Sequence, residues 1–255
     1  IIGNVLVVLG ASLLVGGLKH GIQTFDARSA GANATMMALA VVALTIPAVF
    51  AHSSYQGETT DREHIQFISD GMAVVLIVIY VLYIFYTLRA APTAHDEPHP
   101  GQPSLSLPVA IGLMAVSTIG VVFMSEVLVG SIEPVAEAWG LSDLFIGVML
   151  VPLVGNIAEH IVAVQMAYQN KMDLSLGIAV GSGLQIALFV TPVLIGVSVL
   201  LGTPMSLVFS QYELAALVGA ALIAAMISVD GESNWLEGAQ LLGLYLMLGI
   251  AFFFV

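Results

Sequence analysis

The sequence predicts an all-α polytopic membrane protein built on an inverted repeat, and three observations predict it. Of 255 residues, 59% are hydrophobic and 9% charged, against roughly 25% charged in a soluble domain. Eight stretches are apolar over about the 20 residues that a helix needs to cross a bilayer. Early and late segments share a pattern separated by an odd number of crossings, so the two copies run in opposite directions.

The eight segments fall at about 1–18, 31–52, 69–89, 105–130, 143–168, 175–201, 207–229 and 234–255, each near the spanning length. Short polar turns divide them: Lys19-His20-Gly21, the loop from Gln56 to Glu63, Asn170 to Asp173, Gly202-Thr203-Pro204 and Asp230 to Asn234. The longest break, Ala91 to Pro103, holds Pro92, Pro98, Pro100 and Pro103 with His95, Asp96, Glu97 and His99. It reads as an acidic solvated linker, with loose metal binding as the alternative. Alternating loops put Lys19, Arg28, Arg89 and Lys171 on one side and Arg62 on the other. The first side is then cytoplasmic by the positive-inside rule.

The repeat pairs the first three segments with the last three. Gly3 to Gly17 and Gly183 to Gly202 both run from a small-polar entry through an aliphatic helix to glycine. A turn containing Phe25 or Phe209 follows, then the Ala-rich helices Ala30 to Phe50 and Ala215 to Val229.

Charge and composition exclude several functions. A formal charge of −12 leaves no basic face for nucleic acid and suits a cation as partner. The chain has no cysteine, which excludes disulfides and thiolate metal sites. The chain starts at Ile1 inside an apolar run, without a charged n-region or a small-residue cleavage site, so a signal peptide is not expected. An N-terminal truncation is.

One segment stands out. Gly155-Asn156-Ile157-Ala158-Glu159-His160 places an amide, a carboxylate and an imidazole in an apolar span, where a charge persists only if paired, hydrated or used. Asn156 and Glu159, three apart, share a helix face, with His160 beside it as a candidate for access or gating. Pro152 removes the bond to the Val148 carbonyl and is expected to kink the helix, while Gly155 thins it. In the next segment Ser182 and Gln185 repeat the three-residue spacing among Gly177, Gly181 and Gly183, which permit close approach. A carboxylate, two amide carbonyls and a hydroxyl are hard oxygen ligands of the kind Ca²⁺ accepts. The plainer readings are interhelical hydrogen bonding for Ser182, a neutral buried acid for Glu159 and packing for His160. Met149, Met166 and Met172 read as core and lipid contacts.

Other acids are given lesser roles. Glu126, deeper than Glu133 and Glu137, is a candidate for access or gating, and the latter two form a solvated rim. His52 and His64 join Glu58, Asp61 and Glu63 in an outer charge cluster. Glu213, Asp230 and Glu237 sit at helix ends, where carboxylates suit N-termini. The sequon Asn33-Ala34-Thr35 falls at the cytoplasmic end of an apolar helix and is discounted.

At these residues the chain resembles the calcium/proton exchanger family of the sodium/calcium exchanger superfamily. The resemblance rests on Gly155 to His160, Asn170-Lys171-Met172-Asp173-Leu174, Gly181 to Val190 and Ser125 to Pro134, and it extends over essentially the whole chain. It implies an inverted-repeat transporter fold with two five-helix repeats. Residues 1–89 would be the last three helices of the first repeat, 90–104 an acidic Pro-rich cytoplasmic linker, and 105–255 the complete second repeat. It also implies antiport of cytosolic Ca²⁺ for protons. Asn156 and Glu159 then map to the cation and proton site, Ser182 and Gln185 to the next helix, and Asn4 to the first repeat's second signature helix. A full member carries a second Gly-Asn-x-x-Glu motif that these residues lack.

Glu159 is then the contested group in alternating access, deprotonated and binding Ca²⁺ with Asn156 on one side and reprotonated on the other. No cofactor is implied, since Ca²⁺ and H⁺ are substrates. The partners are these ions and the bilayer, with a homo-oligomer compatible. A prokaryotic-type plasma (inner) membrane is expected, with a vacuolar-type membrane as the alternative. The rival readings are exchange of Na⁺, K⁺ or Mn²⁺, an inactive truncated fragment, and an intramembrane metalloprotease. The last needs a motif such as H-E-x-x-H, and His160 has only apolar residues following it.

Overall fold

Apolar runs bounded by glycines and capping residues set the helix ends, and the computed structural model describes them over residues 1–54, 59–89 and 106–254. In chain order the helices are α1 Gly3–His20, α2 Ala27–Ser54, α3 Thr59–Arg89, α4 Leu107–Trp139, α5 Ile146–Gly155, α6 Ile157–Tyr168, α7 Met172–Leu200, α8 Gln211–Ile227 and α9 Trp235–Phe253. By length and composition six of the described helices can cross a membrane. The bent pair α5 and α6 makes a seventh span, and α8 is a shorter apolar helix. Each of the eight expected segments therefore has its helix. The stretch 90–104, with His95, Asp96, Glu97 and His99, lies outside the described residues, as do Glu58 and the side chains of Asp61, Glu133 and Glu137.

Three boundaries differ from expectation, and one of them is the end of α4, which runs on to Trp139 instead of stopping near 130. Helix α3 starts at Thr59, so Glu63 and His64 ride on a helical turn instead of a loop. Helix α8 starts at Gln211, after Ser210, because a capping box closes there. The Glu213 N–H donates to Ser210 Oγ at 3.2 Å and the Ser210 N–H to Glu213 Oε2 at 2.8 Å, satisfying donors that a helix start leaves free. The residues before it are held to α3 instead, with the Leu207 N–H donating to Ser69 Oγ at 3.0 Å and Gln66 Nε2 to Met205 O at 3.0 Å. Asn234 and Glu237 form the same box at α9.

The packing is symmetric under the exchange read from the sequence. α1 lies against α9 as α7 lies against α3, and α2 meets α8 across the middle. α1 and α7 contact each other, and the odd number of crossings from one to the other implies opposite directions, the relation an inverted repeat requires. Each also contains a turn of π-helix, at Gly3–Leu9 and Ile186–Val190.

Glycines set the closest crossing. A Cβ on Gly238 of α9 would stand 2.6 Å from Gly10 O and 2.8 Å from Leu14 Cα of α1, and one on Gly17 would stand 2.8 Å from Trp235 Cα. The two backbones touch where side chains are missing, as close-packed membrane helices do. Leu13 and Leu241 seal this contact, each fully buried.

Three turns meet at one end. Gln23–Thr24 and Glu232–Ser233 form a two-residue antiparallel pair, β1 and β2. The Phe25 N–H donates to Gly231 O at 2.9 Å, and the Asp26 N–H to Asp173 Oδ1 at 2.7 Å. The end of α1 then reaches the end of α6. Lys19 Nζ donates to Tyr168 O at 3.0 Å and sits 3.4 Å from the centre of its ring. His20 Nε2 lies 2.9 Å from the same carbonyl. Gln23 Nε2 donates to Ala167 O and Asn170 Oδ1, both at 2.9 Å. Lys19 and Lys171 thus share one end, as the loop count required. Tyr83 Oη donates to Asn33 Oδ1 at 2.9 Å, so Asn33 serves as an interhelical acceptor.

Two outcomes follow from this packing. Gly238→Ala should lower the stability of the detergent-solubilised protein by about 1–3 kcal/mol, the cost of overpacking, read as a fall in melting temperature. Gly243→Ala, whose Cβ meets nothing within 4 Å, serves as the neutral control. Asp26 supplies a pH dependence, because the Ser29 hydroxyl at 2.6 Å and then the Arg28 and Ser29 N–H groups hold its carboxyl below the usual carboxylate range. A lowered folded value stabilises above the unfolded value of about 3.9 and is lost as pH falls through the folded one. Asp26→Asn should therefore flatten the acid limb of a melting-temperature profile below about pH 4.

Candidate cation site at a broken helix

Pro152 is the first local determinant of the site. A proline lacks the N–H of an α-helical turn and its ring meets the carbonyl four residues back. Here the strain is absorbed upstream by a π turn over Ile146–Leu150, in which the Val151 N–H donates to Ile146 O. Pro192 is accommodated in the same way: the Thr191 N–H donates to Ile186 O, and Thr191 Oγ1 donates to it at 2.9 Å. Shifting the register by one residue lets the helix pass a proline. Tyr245 Oη adds a bond to Met149 O at 2.8 Å, bracing the π turn from α9.

The break therefore falls after Pro152, not at it. Asn156 adopts φ −110° and ψ 18°, outside the helical region, and α5 and α6 diverge by 64° there. This corrects the expectation that Pro152 makes the kink. The expectation for Gly155 also changes, since a Cβ there would meet nothing within 4 Å. Its missing side chain clears no neighbour. What the break does is leave the last carbonyls of α5 and the first N–H groups of α6 without intrahelical partners.

Polar side chains gather at this point. Asn156 Nδ2 donates to Pro152 O at 3.2 Å, which occupies one bare carbonyl and leaves the Asn156 carbonyl oxygen as an acceptor. Glu159 stands in the first turn of α6. Ser182 Oγ of α7 donates to Glu159 Oε2 at 2.8 Å. The expected meeting of the two helices is thus made through Ser182 and Glu159. Gln185, exposed like Glu159, makes no side-chain hydrogen bond among the described residues.

α1 closes one side of the site. A Cβ on Gly3 would touch Pro152 Cβ at 3.2 Å, and one on Gly183 would lie 3.0 Å from Met37 Cε and 3.9 Å from Ile1 Cα. Gly183 is thus a close-approach position. Gly177 and Gly181, expected to act likewise, would meet nothing within 4 Å. Asn4, 3% exposed, is buried with its Nδ2 unpartnered.

Two expected access residues lie elsewhere. His160 is 7% exposed, with Nε2 unpartnered. It shares a buried stripe with Ala163 and Ala167 on α6, a helix that packs on both α1 and α7. That is a packing position, one residue off the carboxylate face because successive helical residues point about 100° apart. Glu126 is exposed on α4, whose Leu107–Ile132 span has none of its residues buried. No hydrogen bond among the described residues joins it to Glu159.

The assembled donors are a carboxylate, an amide carbonyl and a hydroxyl beside the end of a half-helix, a set that suits a hard cation such as Ca²⁺. Among the described residues no cluster of three His, Asp or Glu stands together that could hold a metal ion by side chains of those types alone. Sequence reading missed Tyr245, Gln23 and the paired role of Lys19 and His20. Only the Lys19-His20 basic pair at the end of a span gave a signal for the last of these, as cations favour helix C-termini.

Known proteins share both the sequence and this architecture. A profile of the sodium/calcium exchanger protein family matches residues 1–89 and 109–254. A Ca²⁺/H⁺ antiporter of Aphanothece halophytica is 42% identical over 100% of this chain and 72% of its own length. The Ca²⁺/H⁺ antiporter ChaA of Bacillus subtilis is 42% identical over 99% of this chain and 72% of its own. The structure of native YfkE superposes with a TM-score of 0.81 at 40% identity, covering 100% of this chain and 72% of that one. The sodium-calcium exchanger NCX_Mj shares the fold with a TM-score of 0.61 at 22% identity, covering 98% and 72%. With a family profile over nearly its whole length and relatives this similar, the chain belongs to the sodium/calcium exchanger family.

Proposed function

We propose that the protein is a multi-pass membrane antiporter that exports cytosolic Ca²⁺ in exchange for protons. The observation that carries this reading is the Glu159 carboxylate at a helix break, bridged by Ser182 from the next helix, in a chain 42% identical to a protein named a Ca²⁺/H⁺ antiporter. A Ca²⁺ ion and a proton compete for the same carboxylate oxygens, so binding one displaces the other. Neither the empty ionised site nor a doubly loaded one is favourable at bilayer depth. Mutual exclusion at Glu159 is therefore sufficient to couple the two fluxes.

Each neighbour has a part in this cycle. Ser182 Oγ aims the carboxylate and supplies a neutral oxygen. Asn156 contributes its amide carbonyl, its nitrogen being occupied by Pro152 O. Backbone carbonyls at the end of α5 replace water from the ion's shell. The end holding Lys19, Arg28 and Lys171 faces the cytoplasm by the positive-inside rule. A prokaryotic plasma membrane is favoured by the 42% identity to a bacterial relative, against 34% to a vacuolar calcium ion transporter of Schizosaccharomyces pombe.

The test is Ca²⁺ movement in reconstituted vesicles under an imposed pH gradient, with Na⁺, K⁺ and Mn²⁺ as competitors. Glu159→Gln keeps the shape and removes the titrating group, and should abolish proton-driven Ca²⁺ movement. Undiminished transport by that variant would exclude the mechanism. Ser182→Ala should retain exchange but raise the half-saturating Ca²⁺ concentration about two- to tenfold, the equivalent of one hydrogen bond.

A further inference from the structure

Helix α6 carries Glu159 near one end and is gripped at the other. Its last carbonyls lie beyond the regular helical ladder; those of Gln165, Met166 and Ala167 accept backbone N–H groups of the turn at Gln169, Asn170 and Lys171, and three side chains from one short stretch of chain add to the hold at Ala167 and Tyr168. Gln23 Nε2 takes Ala167 O, while Lys19 Nζ and His20 Nε2 converge on Tyr168 O. Gln23 also takes Asn170 Oδ1 in the turn leading to α7, where Asn170 has φ +61°. Of the three, Gln23 is the buried one, 1% exposed. Its side chain fits only because residue 16 is glycine, where a Cβ would lie 3.1 Å from Ala167 O and overlap the Gln23 amide.

The grip ties α6 to a rigid base. α1 is locked to α9 through Gly10, Gly17 and Gly238, so the lower end of α6 is fixed to that pair. Its upper end is joined to α5 only through the non-helical Asn156. From Ala167 to Glu159 the helix spans about 12 Å at 1.5 Å per residue. A tilt of about 10° at the base would move the carboxylate about 2 Å over that length, enough to break the 2.8 Å bond from Ser182.

We propose that Gln23 is a positioning residue for cation exchange: by capping the end of α6 it holds the half-helix at the angle that keeps Glu159 on Ser182. Lys19 and His20 reinforce the same hold from the exposed side. The proposal rests on the Ca²⁺/H⁺ reading of the Glu159 site, and its test separates the two.

Because the chain has no cysteine, spin labels can be placed at Ile161→Cys on α6 and Leu246→Cys on α9, both exposed positions. Double electron–electron resonance then reports the angle of α6 without reference to transport. Gln23→Ala should broaden or shift that distance distribution. In reconstituted vesicles it should raise the half-saturating Ca²⁺ concentration about two- to tenfold, with a maximal rate within about twofold. The double variant Lys19→Ala, His20→Ala alters only exposed side chains and should change both readouts in the same direction by less. An unchanged label distribution in Gln23→Ala overturns the proposal. So does a fall in maximal rate with unaltered half-saturation, which marks loss of folded protein only. If the unsubstituted protein moves no Ca²⁺ against a pH gradient, the transport reading fails, while the label distances still decide whether Gln23 sets the angle of α6.

Discussion

A break in a helix at bilayer depth exposes backbone groups that no lipid can satisfy, and the molecule is organised around one such break, at Asn156. The residue itself closes part of the gap by donating to Pro152 O. Ser182 spans the other side by donating to Glu159. The remaining carbonyls at the end of α5 are the groups a cation would use. A site of this type needs both helix halves held at a fixed angle, since the bond that aims the carboxylate is only as good as the position of α6. Much of the fold can be understood as supplying that hold.

The hold comes from two sources. At one end the glycine crossing of α1 and α9 makes a base without intervening side chains, and the Gln23, Lys19 and His20 donors attach α6 to it. At the other end Tyr245 of α9 bonds to Met149 O within the π turn of α5. α9 therefore braces α5 directly and α6 through α1. The bend between them is left to a single non-helical residue. Prolines, by contrast, are neutralised: at Pro152 and Pro192 a π turn takes up the missing donor before the ring is reached.

A candidate location for the chemistry could be named before the structure, because an ionisable group in an apolar span is expensive unless it is paired, hydrated or used. That the polar face of the next helix would meet it was legible as a repeated three-residue spacing, whereas the pairing with Ser182 itself was not. The same spacing does not decide which residue of the next helix makes a hydrogen bond, and Gln185 makes none among the described residues, because matching intervals on two helices do not fix how each is rotated about its axis. At Pro152 a local rule for regular helices did not anticipate a register shift. His160, adjacent in sequence to the carboxylate, turned out to lie on the buried stripe with Ala163 and Ala167. Which side of α6 faces which neighbour is a property of the bundle.

Sequence alone determined the class of protein, the order of its apolar segments, the common end shared by Lys19 and Lys171 and the repeat, and it singled out Glu159 as the candidate carboxylate. All of these rest on local composition, on period or on the cost of charge in lipid, which act without knowledge of partners. Tertiary structure alone decided where the span breaks, which polar residue completes the Glu159 pair and what anchors the half-helix. These depend on contacts between residues far apart in the chain, such as Gln23 with Ala167 and Gly10 with Gly238. A buried amide over a glycine has no signature in either stretch read separately, because its meaning is the carbonyl it happens to reach.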